Sequence, residues 1–297
     1  MKYKLSHILQ NPSLILKYIR KKLRIHNSKE YVGEVKNRSD SENGLYVSAV
    51  QKAVRSYKSF SSFKKNLDYQ AILEHVSKEQ GERYLEIIKK DSPSLLMEIE
   101  LFKDNDLVGD PAVFEYPDIG AISPTTLRYV KVASDLMKLF GNQIGERIVE
   151  IGAGYGGQAL INDRIFKIKE YELLDLPPVL NLVSKYLDSH ILNCAYKIST
   201  LNQKTGDDKY DLIISNYAFS ELPSQLQIKY IEKVISKCKK GYLTMNSGLS
   251  RAGRSTNKLT IEQLRDQLPT FEMLPEDPIT SPDNYIIIWG HKRSDTN

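Results

Sequence analysis

A glycine-rich turn between an apolar strand and a helix is the feature that most constrains the fold of this chain. Residues 149–158 read VEIGAGYGGQ, in which Gly152, Gly154 and Gly156 alternate with other residues. Glycine lets the backbone turn tightly and approach a ligand closely, because it carries no Cβ. In open α/β sheets, ligands bind beyond the carboxyl ends of the strands. The turn therefore predicts an α/β fold with a ligand site at a helix N-terminus.

Strand and helix signals alternate along the second half of the chain. The spacing predicts strands at 147–151, 171–174, 195–198, 212–215, 242–245 and 285–289, and helices at 126–140, 157–164, 178–187, 224–237 and 261–268. This alternation predicts βαβ units and a mostly parallel, Rossmann-like sheet with helices on both faces. The organisation predicted is a basic amphipathic helix and linker (1–44), a helical N-terminal region over the substrate (45–122) and a Rossmann-like domain (123–297).

Charge and hydropathy limit the partners of the chain. A total of 42 Lys and Arg against 37 Asp and Glu gives a net charge of +5, too small to indicate nucleic-acid binding. Seven basic residues and no acid lie within residues 1–26, a pattern typical both of contact with an anionic membrane and of packing on the protein itself. No apolar run approaches the roughly 20 residues of a membrane span, and no signal-peptide core occurs. We expect a cytoplasmic protein, with peripheral contact at the inner membrane face as an open alternative.

Two ligands compete for the glycine turn. Gly152, Gly154 and Gly157 satisfy the dinucleotide pattern G-x-G-x-x-G, and Asp175 follows at the distance of a ribose-binding acid. The same turn reads E-x-G-x-G-x-G from Glu150, the acid-led form seen in class I methyltransferases. The helical region ahead of the first strand and the apolar run near the C-terminus are also typical of those enzymes. The sequence favours a methyltransferase over an NAD(P)-dependent oxidoreductase; a methyltransferase-like binding module without catalysis is the non-enzymatic alternative.

Five stretches carry a closer resemblance: VGDP (108–111), ISPTTLRYVKVASDL (122–136), IVEIGAGYGGQ (148–158), YELLDLPPVL (171–180) and SNYAFSEL (215–222). From about residue 107 onward, the chain resembles the bacterial sugar O-methyltransferases associated with surface-polysaccharide gene sets. The resemblance implies a class I methyltransferase fold with S-adenosylmethionine as cofactor. It also implies methyl transfer to a sugar hydroxyl of a glycan precursor, nucleotide-sugar or lipid-linked saccharide.

The resemblance also implies roles for residues of the cofactor site. Asp175 would accept hydrogen bonds from both ribose hydroxyls, and a helix N-cap is its alternative role. Glu150 would hold the turn or reach the methionine ammonium group through water; its alternative is a structural hydrogen bond to the loop amides. Thr200 and Leu201 are candidates for adenine recognition. The remaining predicted cofactor residues lie in the turn or just after a strand: Gly152, Ala153, Gly154, Tyr155, Gly156, Leu176, Asn216 and Tyr217.

A sugar hydroxyl is a poor nucleophile, so methyl transfer to it calls for a general base. Glu221, after the fourth predicted strand, is the first candidate, with a helix cap or salt bridge as its alternative. Asp118, together with Asp110 in the same loop-rich segment, is the second candidate, and His291 is the third, with a surface position as its alternative.

Further side chains are candidates for substrate contact. Arg128 and Tyr129 would bind a substrate phosphate or the cofactor carboxylate, and Asp110 would face the acceptor. Arg251 and Arg254 would clamp a pyrophosphate of a nucleotide-sugar, with solvated loop charges as the alternative. The five histidines are scattered, so the sequence assigns no metal site. The segment after the fourth strand lacks the prolines of DNA-adenine methyltransferases, which disfavours nucleic acid as substrate.

Overall fold

A seven-stranded sheet lies at the centre of the protein in a computed structural model that describes residues 44–246 and 257–291. The strands are β1 (Phe114–Tyr116), β2 (Gly120–Ile122), β3 (Arg147–Ile151), β4 (Glu170–Leu174), β5 (Ala195–Ser199), β6 (Tyr210–Asn216), β7 (Cys238–Met245), β8 (Glu272–Pro275) and β9 (Tyr285–Trp289). The central sheet has the order β5-β4-β3-β6-β7-β9-β8, and β1 pairs with β2 in a separate hairpin. The predicted Rossmann-like sheet with helices on both faces is confirmed.

The direction of the strands decides which loops meet. Strands β5, β4, β3, β6 and β7 pair in parallel, so their carboxyl ends lie along one edge of the sheet. Strand β9 runs antiparallel to β7, with Tyr285 opposite Met245 and Trp289 opposite Gly241. The first residue of β9 therefore lies near the carboxyl edge, whereas the chain after Trp289 emerges at the opposite edge.

The helices follow the amphipathic pattern expected from the sequence. They are Gly44–Arg55, Tyr57–Phe60, Leu67–Gln70, Lys78–Asp91, Ser94–Met97, Ile99–Phe102, Pro124–Phe140, Gly157–Ile165, Pro177–Leu187, Ala218–Glu221, Ser224–Lys233 and Ile261–Gln267. The helix Pro124–Phe140 is capped by Ser123, whose side chain accepts the N–H of Thr126 at 3.2 Å. Among the helices of the described segments, none combines the length and the apolar character required to cross a membrane.

The helices of residues 44–107, called here the N-terminal layer, share one hydrophobic core with the sheet. The ring of Phe63 packs edge-on against Tyr155 at 5.6 Å between centroids, and Tyr155 packs against Tyr186 at 4.8 Å. The N-terminal layer therefore covers the glycine turn. The predicted basic helix lies within residues 1–43, outside the described residues.

Candidate functional site

The glycine turn adopts backbone angles that favour glycine. Gly152, Gly154 and Gly156 have φ values of +79°, +57° and +94°. A Cβ at Gly152 would lie 2.0 Å from the Cβ of Ala218, which follows β6. The absence of a side chain at Gly152 therefore lets the turn pack directly against the segment after β6.

The neighbours of the other two glycines belong to the protein itself. A Cβ at Gly154 would lie 3.2 Å from Cδ1 of Leu73 in the N-terminal layer, and one at Gly156 would lie 3.1 Å from Cγ of Leu187. The sequence predicts that these glycines let a ligand approach the backbone of the turn. The structure corrects this prediction in part, because Gly154 also makes room for the side chain of Leu73 and Gly156 for that of Leu187.

Asp175 follows β4 directly and faces the turn. Its Oδ2 accepts the N–H of Gly154 at 3.3 Å, and its Oδ1 accepts the N–H of Leu176 at 2.7 Å. Burial raises the pKa of Asp175 to about 6, while the backbone N–H groups around the carboxylate act in the opposite direction. The helix Pro177–Leu187 has Leu176 as its N-cap residue, so the alternative role of Asp175 as the N-cap is not observed.

Glu150 belongs to a chain of buried polar side chains. Its Oε2 accepts the hydroxyl of Tyr171 at 2.8 Å, and that hydroxyl accepts Nδ2 of Asn162 at 3.2 Å. Gln158 Nε2 donates to Asn162 Oδ1 at 3.1 Å, and Asn216 Nδ2 donates to Gln158 Oε1 at 3.4 Å. Burial raises the pKa of Glu150 to about 8. These hydrogen bonds connect Glu150 to Asn216 at the end of β6. The sequence did not predict this network.

Tyr155 points away from the open edge. Its side chain is fully buried, its ring lies 4.3 Å from the ammonium nitrogen of Lys64, and its hydroxyl accepts Nδ2 of Asn105 at 3.1 Å. Lys64 and Asn105 both belong to the N-terminal layer. The predicted cofactor contact of the Tyr155 side chain is therefore corrected: this ring anchors the N-terminal layer.

Asn216 ends β6, and Tyr217 follows it, beside a small cleft of about 20 Å³. Tyr217 has a φ of +68°, an uncommon value for a residue other than glycine, and its hydroxyl donates to Glu276. Asn216 Oδ1 is buried and has no hydrogen-bond partner among the described residues. Tyr84 and Arg128 also line this cleft.

Glu221 lies at the same edge, at the end of the short helix after β6. Its Oε1 accepts Nδ2 of Asn246 at 3.0 Å, and Asn246 O accepts the ammonium group of Lys258 at 2.5 Å. Burial lowers the pKa of Lys258, and the charge of Glu221 opposes that shift. Glu221 is partly buried, so a carboxylate is held where the parallel strands β6 and β7 end.

Three other predicted residues lie elsewhere. The carboxylate of Asp118 pairs with Lys89 at 2.8 Å with its side chain 77% exposed, and that of Asp110 pairs with Lys65 at 2.9 Å. His291 follows β9, whose direction carries it to the opposite edge of the sheet from the glycine turn. The structure therefore contradicts His291 as a general base, and it pairs both aspartates with lysines of the N-terminal layer.

The remaining candidates have varied surroundings. Thr200 follows β5, and its N–H donates to Gln203 Oε1 at 2.7 Å, with Leu201 next in a short 3-10 helix. Arg128 Nη2 donates to the backbone oxygen of Leu73 at 3.2 Å, and Tyr129 is buried against Tyr155. Ala153 is buried in the turn. Arg251 and Arg254 lie outside the described residues. In the described segments no group of three or more His, Cys, Asp or Glu is arranged to hold a metal ion.

No family model matches this chain, and no curated protein does. Solved structures of similar fold include magnesium protoporphyrin IX methyltransferase from Synechocystis PCC 6803 with bound S-adenosylhomocysteine (SAH), at 12% identity and a TM-score of 0.40, covering 67% of this chain and 95% of that one. The N-terminal domain of EvdMO1 with SAH bound is 14% identical with a TM-score of 0.42, and the match covers 67% of this chain and 95% of that one. The aminopentose methyltransferase CalS10 from Micromonospora echinaspora is 14% identical with a TM-score of 0.34, and the match covers 42% of this chain and 52% of that one. Identities and TM-scores this low leave the assignment of the site to the residues of this chain.

Proposed function

We propose that this protein is an S-adenosylmethionine-dependent O-methyltransferase that acts on a sugar hydroxyl of a glycan precursor or nucleotide-sugar. The observation that carries the proposal is the carboxylate of Asp175, which accepts the N–H of Gly154 at the carboxyl edge of the sheet. An antiparallel β9 between β7 and β8 supports the methyltransferase over the oxidoreductase, because this strand order matches the class I sheet that the sequence resembles.

The residues at this edge fit the predicted cofactor. Asp175 would bind the ribose hydroxyls, and Thr200 and Leu201 would lie beside the adenine. The buried, unpartnered Oδ1 of Asn216 offers an acceptor at the end of β6. S-adenosylmethionine, when bound, supplies a methyl group activated by a sulfonium. The protein supplies binding and orientation.

A saccharide acceptor suits the cleft at the end of β6. Its lining combines the rings of Tyr84 and Tyr217 with the carboxylate of Glu276 and the hydroxyl of Thr244. Sugars present hydroxyls that both donate and accept hydrogen bonds, together with apolar C–H faces that pack on aromatic rings. Convergent polar groups among aromatic side chains are what a small-molecule site needs for orientation.

Glu221 is the general base of this proposal. The acceptor oxygen would bond to the methyl carbon as the methyl–sulfur bond breaks and SAH leaves, and the hydroxyl proton would pass to the carboxylate of Glu221. Asn246 holds Glu221 Oε1 at 3.0 Å and so restricts its orientation. The rate advantage comes from alignment of the acceptor and from removal of its proton.

Titration calorimetry with SAH and with NAD(P) tests the cofactor. We expect the protein to bind SAH, and Asp175→Asn to weaken that binding about tenfold or more, because a charged hydrogen-bond acceptor is lost. Asp266→Asn, at an exposed position of the helix Ile261–Gln267, is the matched control and should bind SAH like the unmodified protein. Binding of NAD(P) alone would overturn the proposal in favour of the oxidoreductase.

Transfer of a labelled methyl group to a panel of nucleotide-sugars and oligosaccharides tests the reaction. We expect Glu221→Gln to lower kcat about 10²-fold or more while SAH affinity stays unchanged. Cofactor binding without transfer to any saccharide, and with Glu221 dispensable, would instead favour the non-catalytic binding module.

A further inference from the structure

The N-terminal layer brings a carboxylate close to the glycine turn. The Leu73 side chain lies 3.2 Å from the position a Cβ would take on Gly154, and the backbone oxygen of Leu73 accepts Arg128 Nη2 at 3.2 Å. Glu74 is the next residue along the chain, and its charge interacts with that of Arg128. Glu74 therefore lies where the N-terminal layer, the turn and the helix Pro124–Phe140 meet.

The carboxylate of Glu74 is incompletely satisfied. Its Oε1 is buried and has no hydrogen-bond partner among the described residues. Burial raises its pKa, against the opposing charges of Lys64 and Arg128 and a hydrogen bond from Thr125. Lys64 instead donates to the backbone oxygen of Asn105 at 2.6 Å. A buried acceptor without a donor is unfavourable, and a ligand that supplies the donor removes that cost.

A second acceptor of the same kind lies in the cleft that Arg128 lines. Asn216 Oδ1 is also buried without a partner, and Asn216 lines the same cleft as Arg128. Two unpartnered acceptors and one guanidinium complement an α-amino acid. Its ammonium group has three donors, and its carboxylate can take paired bonds from a guanidinium.

We propose that Glu74 accepts the α-ammonium group of the methionine end of the cofactor, with Asn216 Oδ1 as a second acceptor and Arg128 bound to the carboxylate. This inference rests on the proposed function, since S-adenosylmethionine is the ligand with such an end. The N-terminal layer is then part of the cofactor site as well as its cover.

A cycle of two proteins and two ligands tests the contact. The ligands are SAH and its deamino analogue, S-adenosyl-4-thiobutyrate, which lacks only the amino group. Calorimetry compares the unmodified protein with Glu74→Gln, which keeps the size of the side chain and removes its charge. Glu86→Gln, at an exposed position of the helix Lys78–Asp91, is the matched control.

We expect the unmodified protein and Glu86→Gln to bind SAH at least tenfold more tightly than the deamino analogue, and Glu74→Gln to bind the two within threefold of each other. A purely structural role of Glu74 would weaken both ligands equally, and an unchanged ratio would overturn the inference. If circular dichroism shows Glu74→Gln to be unfolded, Glu74→Asp replaces it: a lowered ratio supports the contact and an unchanged one overturns it. Failure of the unmodified protein to bind either ligand is instead a failure of the proposed function.

Discussion

Glu150→Gln should change stability in a way that depends on pH. Glu150 is 2% exposed on β3, and its Oε2 accepts the hydroxyl of Tyr171 at 2.8 Å. A glutamine has the same shape and keeps an oxygen that can accept this bond, but it carries no ionisable group. The substitution therefore isolates the cost of a charge at this position.

The sign follows from the raised pKa. Burial raises the pKa of Glu150 from 4.5 to about 8, so the folded state holds its proton more tightly than the unfolded state. The resulting stabilisation is complete below pH 4.5 and is lost as the pH rises to about 8. At 1.36 kcal/mol per pKa unit, the shift from 4.5 to about 8 corresponds to roughly 5 kcal/mol at most.

Urea unfolding of both proteins at two pH values measures this effect. Near pH 4.5 we expect equal free energies of unfolding, and near pH 9 we expect Glu150→Gln to be the more stable by about 2–5 kcal/mol. Burial holds the pKa of Tyr171 well above its usual value, so this neighbour stays protonated in the range. Exposed Glu86→Gln should show no such change with pH. Lower stability of Glu150→Gln at pH 9 would refute the reasoning, because it would mean that the charged carboxylate is stabilised in place.

Two further substitutions test the packing of the turn and a buried ion pair. Gly152→Ala should lower the free energy of unfolding by about 2 kcal/mol or more in urea, because the new Cβ lies 2.0 Å from that of Ala218 at a φ of +79°. Adding Ala218→Gly should restore part of the loss, and no recovery would contradict the contact. Lys204→Met should cost about 2–3 kcal/mol at pH 7, because buried Glu172 loses the buried ammonium 2.9 Å away and keeps only the exposed Lys197 at 3.6 Å. The loss should shrink near pH 4 as Glu172 takes up a proton, and thermal unfolding at both pH values checks this.

Some elements could be predicted closely because their own residues determine them. Strand β9 is a run of apolar residues, and β3 carries Ile148, Val149 and Ile151 on both faces; both bounds of each strand match the prediction. Strand β8 has only four residues, Glu272–Pro275, which are half-buried or exposed and end in proline. It forms because β9 offers a free edge, which the local sequence does not reveal.

The residues of the candidate site also differ in how far the local sequence determines their positions. Asp175 could be found from its spacing after the turn, because consecutive parallel strands bring their carboxyl ends together. Glu74 could not, because its position near Arg128 depends on how a separate group of helices packs. His291 was misplaced because the antiparallel direction of β9 carries the chain to the other edge.

The position of Tyr155 links the stability of the N-terminal layer to the geometry of the turn. Tyr155 is flanked by Gly154 and Gly156, both at positive φ, and its side chain is buried against Phe63 and Lys64 of the layer. A movement that lifted the layer would expose this ring and leave the Lys64 ammonium without its aromatic contact, a cost of about 2 kcal/mol or more. The backbone of the turn would lose its support in the same step. The turn is therefore held in shape by the N-terminal layer as well as by the sheet.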